Sequence, residues 1–328
     1  MPKVSVIIPV YEVEKYIERC ARSLFEQTLD DIEFIFVNDC TPDNSIDILE
    51  KTLSSYPRRF NQTQIIMLPE NKGLANARKI GIEHASGEYI IQCDSDDWVD
   101  INAYQSMYEF AIKEKLDIVV CDIYESNGLQ HSVKNQKVLS NKKLYLAGVI
   151  GRSISCSLCN KLIKSDIFKT NQIQYAKYNM LEDEVLCVQI VYFANTIGFL
   201  QKPLYYYFNN TNSICKKKSP QAILNRSHDS IGNIDIVLEF LNKQDLISVY
   251  KMEIVKLKNT ARYLIWPLLL EKPKEYLPIW RNIYPELNKK YLFTKGIPFS
   301  LKMVFLLTLV GIYPLIHKIL KRRNEILE

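Results

Sequence analysis

Glu88-Tyr89-Ile90-Ile91-Gln92-Cys93-Asp94-Ser95-Asp96-Asp97-Trp98 is the stretch on which the reading of this 328-residue chain turns. A short apolar run is followed at once by three carboxylates in four residues. Such a run, bounded by polar residues, reads as a buried strand. The carboxyl ends of strands are where open α/β sheets hold ligands. Carboxylates gathered this closely repel one another unless a cation or a donor compensates. Mg²⁺ and Mn²⁺ take hard oxygen ligands, often one or two carboxylates together with substrate phosphates. The stretch therefore reads as a metal–diphosphate site, set against the simpler reading of a solvated acidic turn with Asp97 as a helix cap.

Outward from this point, strand and helix patterns alternate through the first 125 residues. Val4–Val10 reads as a strand buried on both faces and Ile32–Asn38 as a second buried strand, with Gln64–Leu68, Glu88–Cys93 and Asp117–Tyr124 as further strands. Glu14–Gln27, Ser45–Ser55 and Leu74–His84 carry helical spacing between them. This alternation predicts a mostly parallel sheet with helices on both faces. Asn127–Ser140 is polar and reads as loop, and Thr196–Tyr207 reads as a further strand. Residues 220–293 read as helices broken at Pro267, Pro273, Pro278 and Pro285.

Three other places carry chemistry. The second strand ends in Asp39, whose carboxylate could accept from a nucleobase N–H, although a lone strand-end Asp is more often a turn or cap residue. Asn71-Lys72-Gly73 opens the third helix, where free N–H groups, Lys72 and Arg78 suit an anion. Met180-Leu181-Glu182-Asp183-Glu184 is a second acidic cluster, read either as a general base near a reacting hydroxyl or as acids favoured at a helix N-terminus. Cys156 and Cys159 have metal-ligand spacing but no second pair, so a structural zinc is disfavoured. Tyr205-Tyr206-Tyr207-Phe208 reads as strand and core more readily than as a sugar platform.

Composition excludes broad alternatives. Hydrophobic residues make up 47% and charged residues 24%, the proportions of a globular chain. A net charge of +5 is too small for a nucleic-acid binder. Four of those charges fall within residues 295–328, where six Lys or Arg meet two Glu beside the apolar run Met303–Ile316. That run suits an anionic membrane surface, and fourteen helical residues reach roughly 21 Å, short of a ~30 Å hydrocarbon core. Eight cysteines in a chain this long read as buried thiols of a reducing compartment, and no secretory leader is expected.

In combination these pieces resemble the family 2 glycosyltransferases, an inverting group of GT-A fold. Val4–Tyr11 is similar to that family's opening strand, and Ser23–Gln27 to its Ser-Leu-x-x-Gln element. Asp39 with Thr41–Ser45 resembles its Asp-x-Ser-x-Asp-x-Ser turn, and Asn71–Gly81 its Asn-x-Gly-x-x-x-Ala-Arg-x-x-Gly helix. Asp94–Asp97 resembles its Asp-x-Asp motif, Glu182-Asp183 its catalytic pair, and Tyr205–Tyr207 with Ser213-Ile214 the end of the shared domain. Glu12, Asn38 and Cys40 depart from the usual Asn, Asp and Gly.

The resemblance implies a Rossmann-like, mostly parallel GT-A sheet sandwiched by helices over residues 1–215, with a nucleotide half (1–125) and an acceptor half (126–215). A helical extension (216–295) and a membrane-associating segment (296–328) would follow. It implies that Pro9, Tyr11 and Asp39 hold the base of a nucleotide-sugar, with Lys72 and Arg78 as phosphate or base contacts. Asp94 would contact the ribose or sugar, Asp96 would ligate Mg²⁺ or Mn²⁺, and Asp183 would be the general base. A UDP-sugar donor and a saccharide acceptor, lipid-linked in surface polysaccharide synthesis, are the implied partners, with no nucleic acid. The implied location is cytoplasmic, peripheral on the inner face of the membrane. The competing expectation is a non-catalytic nucleotide-sugar-binding or scaffold protein on the same fold.

Overall fold

The computed structural model describes residues 1–139, 141–210 and 218–317. Ser213-Ile214, Cys215 and the basic residues after His317 lie outside the described residues. The chain divides into two compact units, one of residues 1–149 and 154–211, the other of residues 150–153 and 212–328.

The first unit opens with β1 (Val4–Val10), α1 (Ile17–Phe25), β2 (Ile32–Asn38) and α2 (Ser45–Ser54). A 3-10 turn (Pro57–Gln62), β3 (Thr63–Met67), α3 (Leu74–His84) and β4 (Tyr89–Gln92) follow. The nearly unbroken apolar runs of β1 and β2 are buried along their length, as strands covered on both faces must be. Leu49 of α2 and Cys20, Leu24 and Phe25 of α1 pack against Phe34 and Phe36 in the core of this unit. Gly81 lets α3 lie against β1, because a methyl group there would overlap Ile7.

The remainder of the unit is β5 (Trp98–Val99), α4 (Ala103–Glu114), β6 (Ile118–Ser126), β7 (His131–Lys134), α5 (Lys142–Ile150), β8 (Lys161–Lys164), α6 (Asp166–Thr170), α7 (Glu182–Phe193) and β9 (Ile197–Phe208). Among the described residues the sheet runs β3-β2-β1-β4-β8-β6-β9-β5, with β7 paired to β6. Strand order reverses beside β1, the switch point at which such sheets bind ligands.

The sheet departs from expectation in two ways. It is parallel from β3 to β4, but β8 joins antiparallel to both β4 and β6, so the second half is mixed. Within the polar stretch expected to be loop, His131–Lys134 forms β7, an exposed edge strand paired with β6. Its side chains are all exposed, so no apolar alternation marks it.

The second unit contains α8 (Pro220–Lys243), α9 (Lys251–Leu264), α10 (Trp266–Glu271), α11 (Pro273–Asn282), α12 (Leu287–Phe293) and α13 (Phe299–Leu309). Ser219 caps α8 by accepting from the Ala222 N–H at 3.3 Å. Pro267 and Pro273 stand in first turns, where a missing N–H costs nothing. Pro278 does not break its helix as expected: it lies inside α11, which runs through it at the loss of a single backbone bond. Buried Arg262 holds the α11–α12 turn by donating to the carbonyls of Ile283 (2.6 Å) and Tyr284 (3.0 Å), with its guanidinium over Trp280. No helix among the described residues is long and apolar enough to cross a membrane.

Candidate functional site

The loop after β4 is held from behind. Cys93 N–H donates to the Ile7 carbonyl at 2.9 Å, carrying the strand pairing to its end. Asp97 turns inward, accepting from the Tyr205 hydroxyl at 2.6 Å and from the Phe208 N–H at 2.6 Å. Tyr205 in turn accepts from the Asp94 N–H at 3.1 Å, so one buried hydroxyl ties both ends of the carboxylate loop to β9. Burial, then the charges of Asp94 and Asp96, push the Asp97 carboxyl well up. Asp97 is thus an internal strut, neither a solvated turn residue nor a helix cap.

Gln27 of the Ser23–Gln27 element also braces this region. Its amide donates to the Asp100 carbonyl at 2.7 Å and accepts from the Tyr104 N–H at 3.2 Å.

Asp96 remains available for chemistry. Its carboxylate accepts from Asn210 Nδ2 at 2.9 Å and has no ion pair among the described residues. Burial, then Asp94, raise its pKa, and the hydrogen bond from Asn210 opposes them. An under-compensated carboxylate beside another carboxylate fits a hard dication, whose charge would reverse that penalty. No group of three or more His, Cys, Asp or Glu among the described residues is arranged to hold a metal ion. Mg²⁺ or Mn²⁺ there would therefore take much of its shell from substrate and water oxygens, as Mg²⁺ commonly does.

Arg78 links this loop to the second acidic cluster. It lies on α3, 3% exposed. Nη2 meets Asp94 Oδ1 at 2.6 Å, and Nη1 meets Asp183 Oδ1 at 2.6 Å and Glu182 Oε1. Burial works against the guanidinium, but Asp183, Asp94 and Glu182 outweigh it and keep Arg78 protonated. Three acids sharing one cation leave an excess of negative charge. Burial and the Asp183 charge accordingly push the Glu182 carboxyl up, against the pull of Arg78.

Glu182, Asp183 and Glu184 form the first turn of α7, where the helix dipole favours acids, as the helix-start reading expects. Leu181 precedes them with φ +63°. A γ-branched residue held left-handed at a helix start is the kind of strain that accumulates at functional sites.

The base of the third helix is arranged around Asp39. Its two oxygens accept from the Lys72 and Gly73 N–H groups, each at 2.7 Å. Each oxygen keeps a further lone pair. Gly73 has φ +86°, and a side chain there would strike Asn179. The Lys72 ammonium is exposed and 3.2 Å from Glu70. Pro9 is buried in β1 and Tyr11 is exposed just beyond that strand.

The turn after β2 is a clamp. Asp43 accepts from the Ser45 and Thr41 hydroxyls at 2.6 and 2.7 Å and from the Glu14 N–H at 2.9 Å. Burial raises its pKa, but these hydrogen bonds prevail and lower it. Thr41 Oγ1 accepts from the Glu12 N–H at 2.8 Å, fixing the backbone beside Tyr11.

Of the sequence-derived site residues, the structure brings Asp94, Arg78 and Asp183 into direct contact, with Asp96 two residues along the same loop. Asp39 and the Lys72 backbone form a second group. Sequence reading passed over Asn210 and Arg19, and gave Tyr205 no role beyond strand and core. Arg19 donates to the Asp96 carbonyl at 2.8 Å and lies 3.8 Å from the Trp98 ring centre. Tyr206 stacks between Trp98 and Tyr124, at centroid distances of 5.1 and 4.6 Å, so its ring faces are taken up inside the protein. Cys156 donates to Glu184 at 3.1 Å while Cys159 meets Ser157 at 2.9 Å, so the pair shares no ligand.

A strand-end carboxylate loop at the switch point, facing a helix-borne acid pair through one arginine, defines a class of nucleotide-dependent group-transfer fold. Comparison makes this specific. The family model described as Glycosyl transferase family 2 matches residues 5–171, about half of the chain, and the chain belongs to that family. It is 27% identical over 261 residues to the putative glycosyltransferase EpsH of Bacillus subtilis, covering 77% of this chain and 73% of that one. It is 25% identical over 293 residues to the minor teichoic acid biosynthesis protein GgaB of the same organism, covering 86% of this chain but 31% of GgaB. Its fold matches the crystal structure of S. aureus TarS 1-349 in complex with UDP-GlcNAc with a TM-score of 0.71, at 19% identity, over 98% of this chain and 92% of that one.

Proposed function

We propose that this glycosyltransferase moves a sugar from a nucleoside-diphosphate sugar, a UDP-sugar by preference, to a hydroxyl of a saccharide acceptor with inversion at the anomeric carbon. The observation that carries the reading is Arg78, which binds Asp94 of the β4 loop and Asp183 of α7 in one buried ion-pair network. Likeness to TarS, solved with UDP-GlcNAc, supports the choice of donor. Likeness to GgaB supports an acceptor within a surface polymer.

Each residue then has a task. Tyr11, exposed beyond β1, covers the base, with Pro9 beneath it and Asp39 accepting the base N–H through a remaining lone pair. Lys72 stands near the phosphates from the start of α3. Asp94 accepts from the ribose or sugar hydroxyls, and Arg78 fixes both Asp94 and Asp183 in place. Asp96 would hold Mg²⁺ or Mn²⁺, which when bound offsets the charge developing on the departing diphosphate. Asp183 takes the proton of the acceptor hydroxyl as that oxygen bonds to the anomeric carbon. The bond to the diphosphate oxygen breaks on the opposite face, so no glycosyl-enzyme forms and an α-linked donor gives a β-linked product. The acceptor is lipid-linked, and the enzyme works at the inner membrane surface through residues 296–328.

The test is turnover of UDP-, GDP-, CDP- and dTDP-sugars with Mn²⁺, with and without saccharide acceptors, followed by product NMR. Acceptor-stimulated nucleotide release with an inverted linkage is expected. Release that ignores the acceptor identifies a hydrolase, and no release from any donor overturns the reading.

A further inference from the structure

Helix α13 carries an apolar face that is partly exposed among the described residues. Phe299, Met303, Leu306 and Val310 recur at spacings of four, three and four, which places them on one side of α13 and its C-cap. They are 76%, 37%, 36% and 54% exposed. The opposite side is committed to the helical unit. Phe305 is buried, with its ring 4.2 Å from that of Tyr291 and 5.1 Å from that of Trp280, and Thr308 is fully buried. The exposed apolar surface continues past the helix through Ile312, Leu315 and Ile316.

The chain segment that carries this face has charge of one sign. From Leu287 to His317 the chain has four lysines, at 289, 290, 295 and 302, and no Asp or Glu. Lys289, Lys290 and Lys295 are exposed. An exposed apolar stripe on a segment that carries lysines and no acids complements the interface of an anionic bilayer and would be a liability in water. An eleven-residue helix reaches roughly 16 Å, about half of a ~30 Å hydrocarbon core, so this element suits lying in the interface and not crossing it.

We infer that the Phe299–Met303–Leu306–Val310 stripe is a monotopic docking face for anionic lipid, with Lys289, Lys290 and Lys295 engaging the headgroups. This deepens, and rests on, the reading that the acceptor is carried on a membrane. It places the binding energy in a folded helix face of the second unit as well as in the basic residues after His317. Apolar insertion and lysine attraction contribute separately, so each can be removed alone.

The experiment is flotation of the full chain with vesicles of phosphatidylcholine alone and of phosphatidylcholine with phosphatidylglycerol. Wild type is compared with F299S/V310S and with K289Q/K295Q. Wild type should bind the anionic vesicles, weakly the neutral ones, and less as salt rises. Each lysine removed should cost about fivefold in affinity, and F299S/V310S should lose binding to both vesicles. Thermal unfolding and UDP binding are measured on the same samples and should match wild type, because every substituted side chain is exposed. Unchanged anionic-vesicle binding by both variants overturns the assignment, as does wild type that binds no vesicle. A wild-type dimer in sedimentation that F299S/V310S converts to monomer, without loss of vesicle binding, also overturns it by assigning the stripe to a second copy. Since UDP binding is read separately, failure here leaves the transferase reading standing, and loss of UDP binding by wild type would leave the docking result standing.

Discussion

Arg78 Nη1 lies 2.6 Å from Asp183 Oδ1, and Nη2 of the same guanidinium lies 2.6 Å from Asp94 Oδ1. The candidate base and the carboxylate loop are therefore set by one planar, buried fork. Replacing Arg78 by methionine leaves three acids without their cation, and breaking a buried pair in this way costs about 3–5 kcal/mol. Turnover should fall below detection and the unfolding midpoint should drop. Arg78→Lys keeps the charge but cannot bridge two acids, so it should recover stability in part while turnover stays at least about a hundredfold down. Chemical denaturation alongside initial rates checks both.

Asp183→Asn keeps the shape and removes the proposed base. Turnover should fall by about 10²–10⁴-fold, the usual contribution of a positioned general base. Donor affinity should change little. Single-turnover rates with equilibrium UDP binding would separate the two, and an unimpaired rate would move the base elsewhere.

The shared cation also fixes a pH response. Glu182 has a raised folded pKa, because burial and Asp183 outweigh Arg78. The folded state then holds a proton that the unfolded state has already released, so this group's stabilising contribution is present at low pH and is lost as pH rises through the folded pKa. Glu182→Gln should remove that loss. The variant's stability relative to wild type should increase from about pH 5, near the ordinary carboxylate range, to about pH 8. A relative stability that stays flat over that interval would show Glu182 to be ionised throughout.

Tyr205→Phe removes the hydroxyl that donates to Asp97 and accepts from the Asp94 N–H. Leaving Asp97 without its 2.6 Å donor should cost about 1–3 kcal/mol of stability. The loop carrying Asp96 should loosen, so the Mn²⁺ concentration for half-maximal UDP binding should rise. A variant with reduced stability but an unchanged Mn²⁺ requirement would limit Tyr205 to a packing role.

Much of the first unit was legible because its signals are local. β1 and β2 are apolar along their length, and α3 starts at a glycine and ends near Ser86-Gly87, so their bounds follow from adjacent residues. The departures noted at Glu12 and Cys40 acquire a physical meaning in the structure. Both positions are left-handed, at φ +52° and +55°, where Asn and Gly are at ease and Glu and Cys are strained. Cys40→Gly should therefore raise the unfolding free energy by up to about 1 kcal/mol, readable as a shift in denaturation midpoint.

What stayed hidden depends on distant partners. Arg78 reads as an anion contact until α7 is brought to it from 104 residues away. Asp97 reads as a cap until Tyr205 reaches it across 108 residues. The mixed half of the sheet was hidden for the same reason, since antiparallel pairing of β8 is decided by neighbours and not by its own four residues.

The central claim is that the loop after β4 binds a nucleoside diphosphate with a divalent cation through Asp96. Calorimetric titration of UDP into wild type and Asp96→Ala, with and without Mn²⁺, tests it most directly. The account predicts that Mn²⁺ tightens UDP binding to wild type by at least about tenfold, roughly 1.4 kcal/mol, and that Asp96→Ala abolishes that gain while the protein remains folded. Binding of UDP that is indifferent to Mn²⁺ in wild type, or equally metal-dependent in Asp96→Ala, would contradict it.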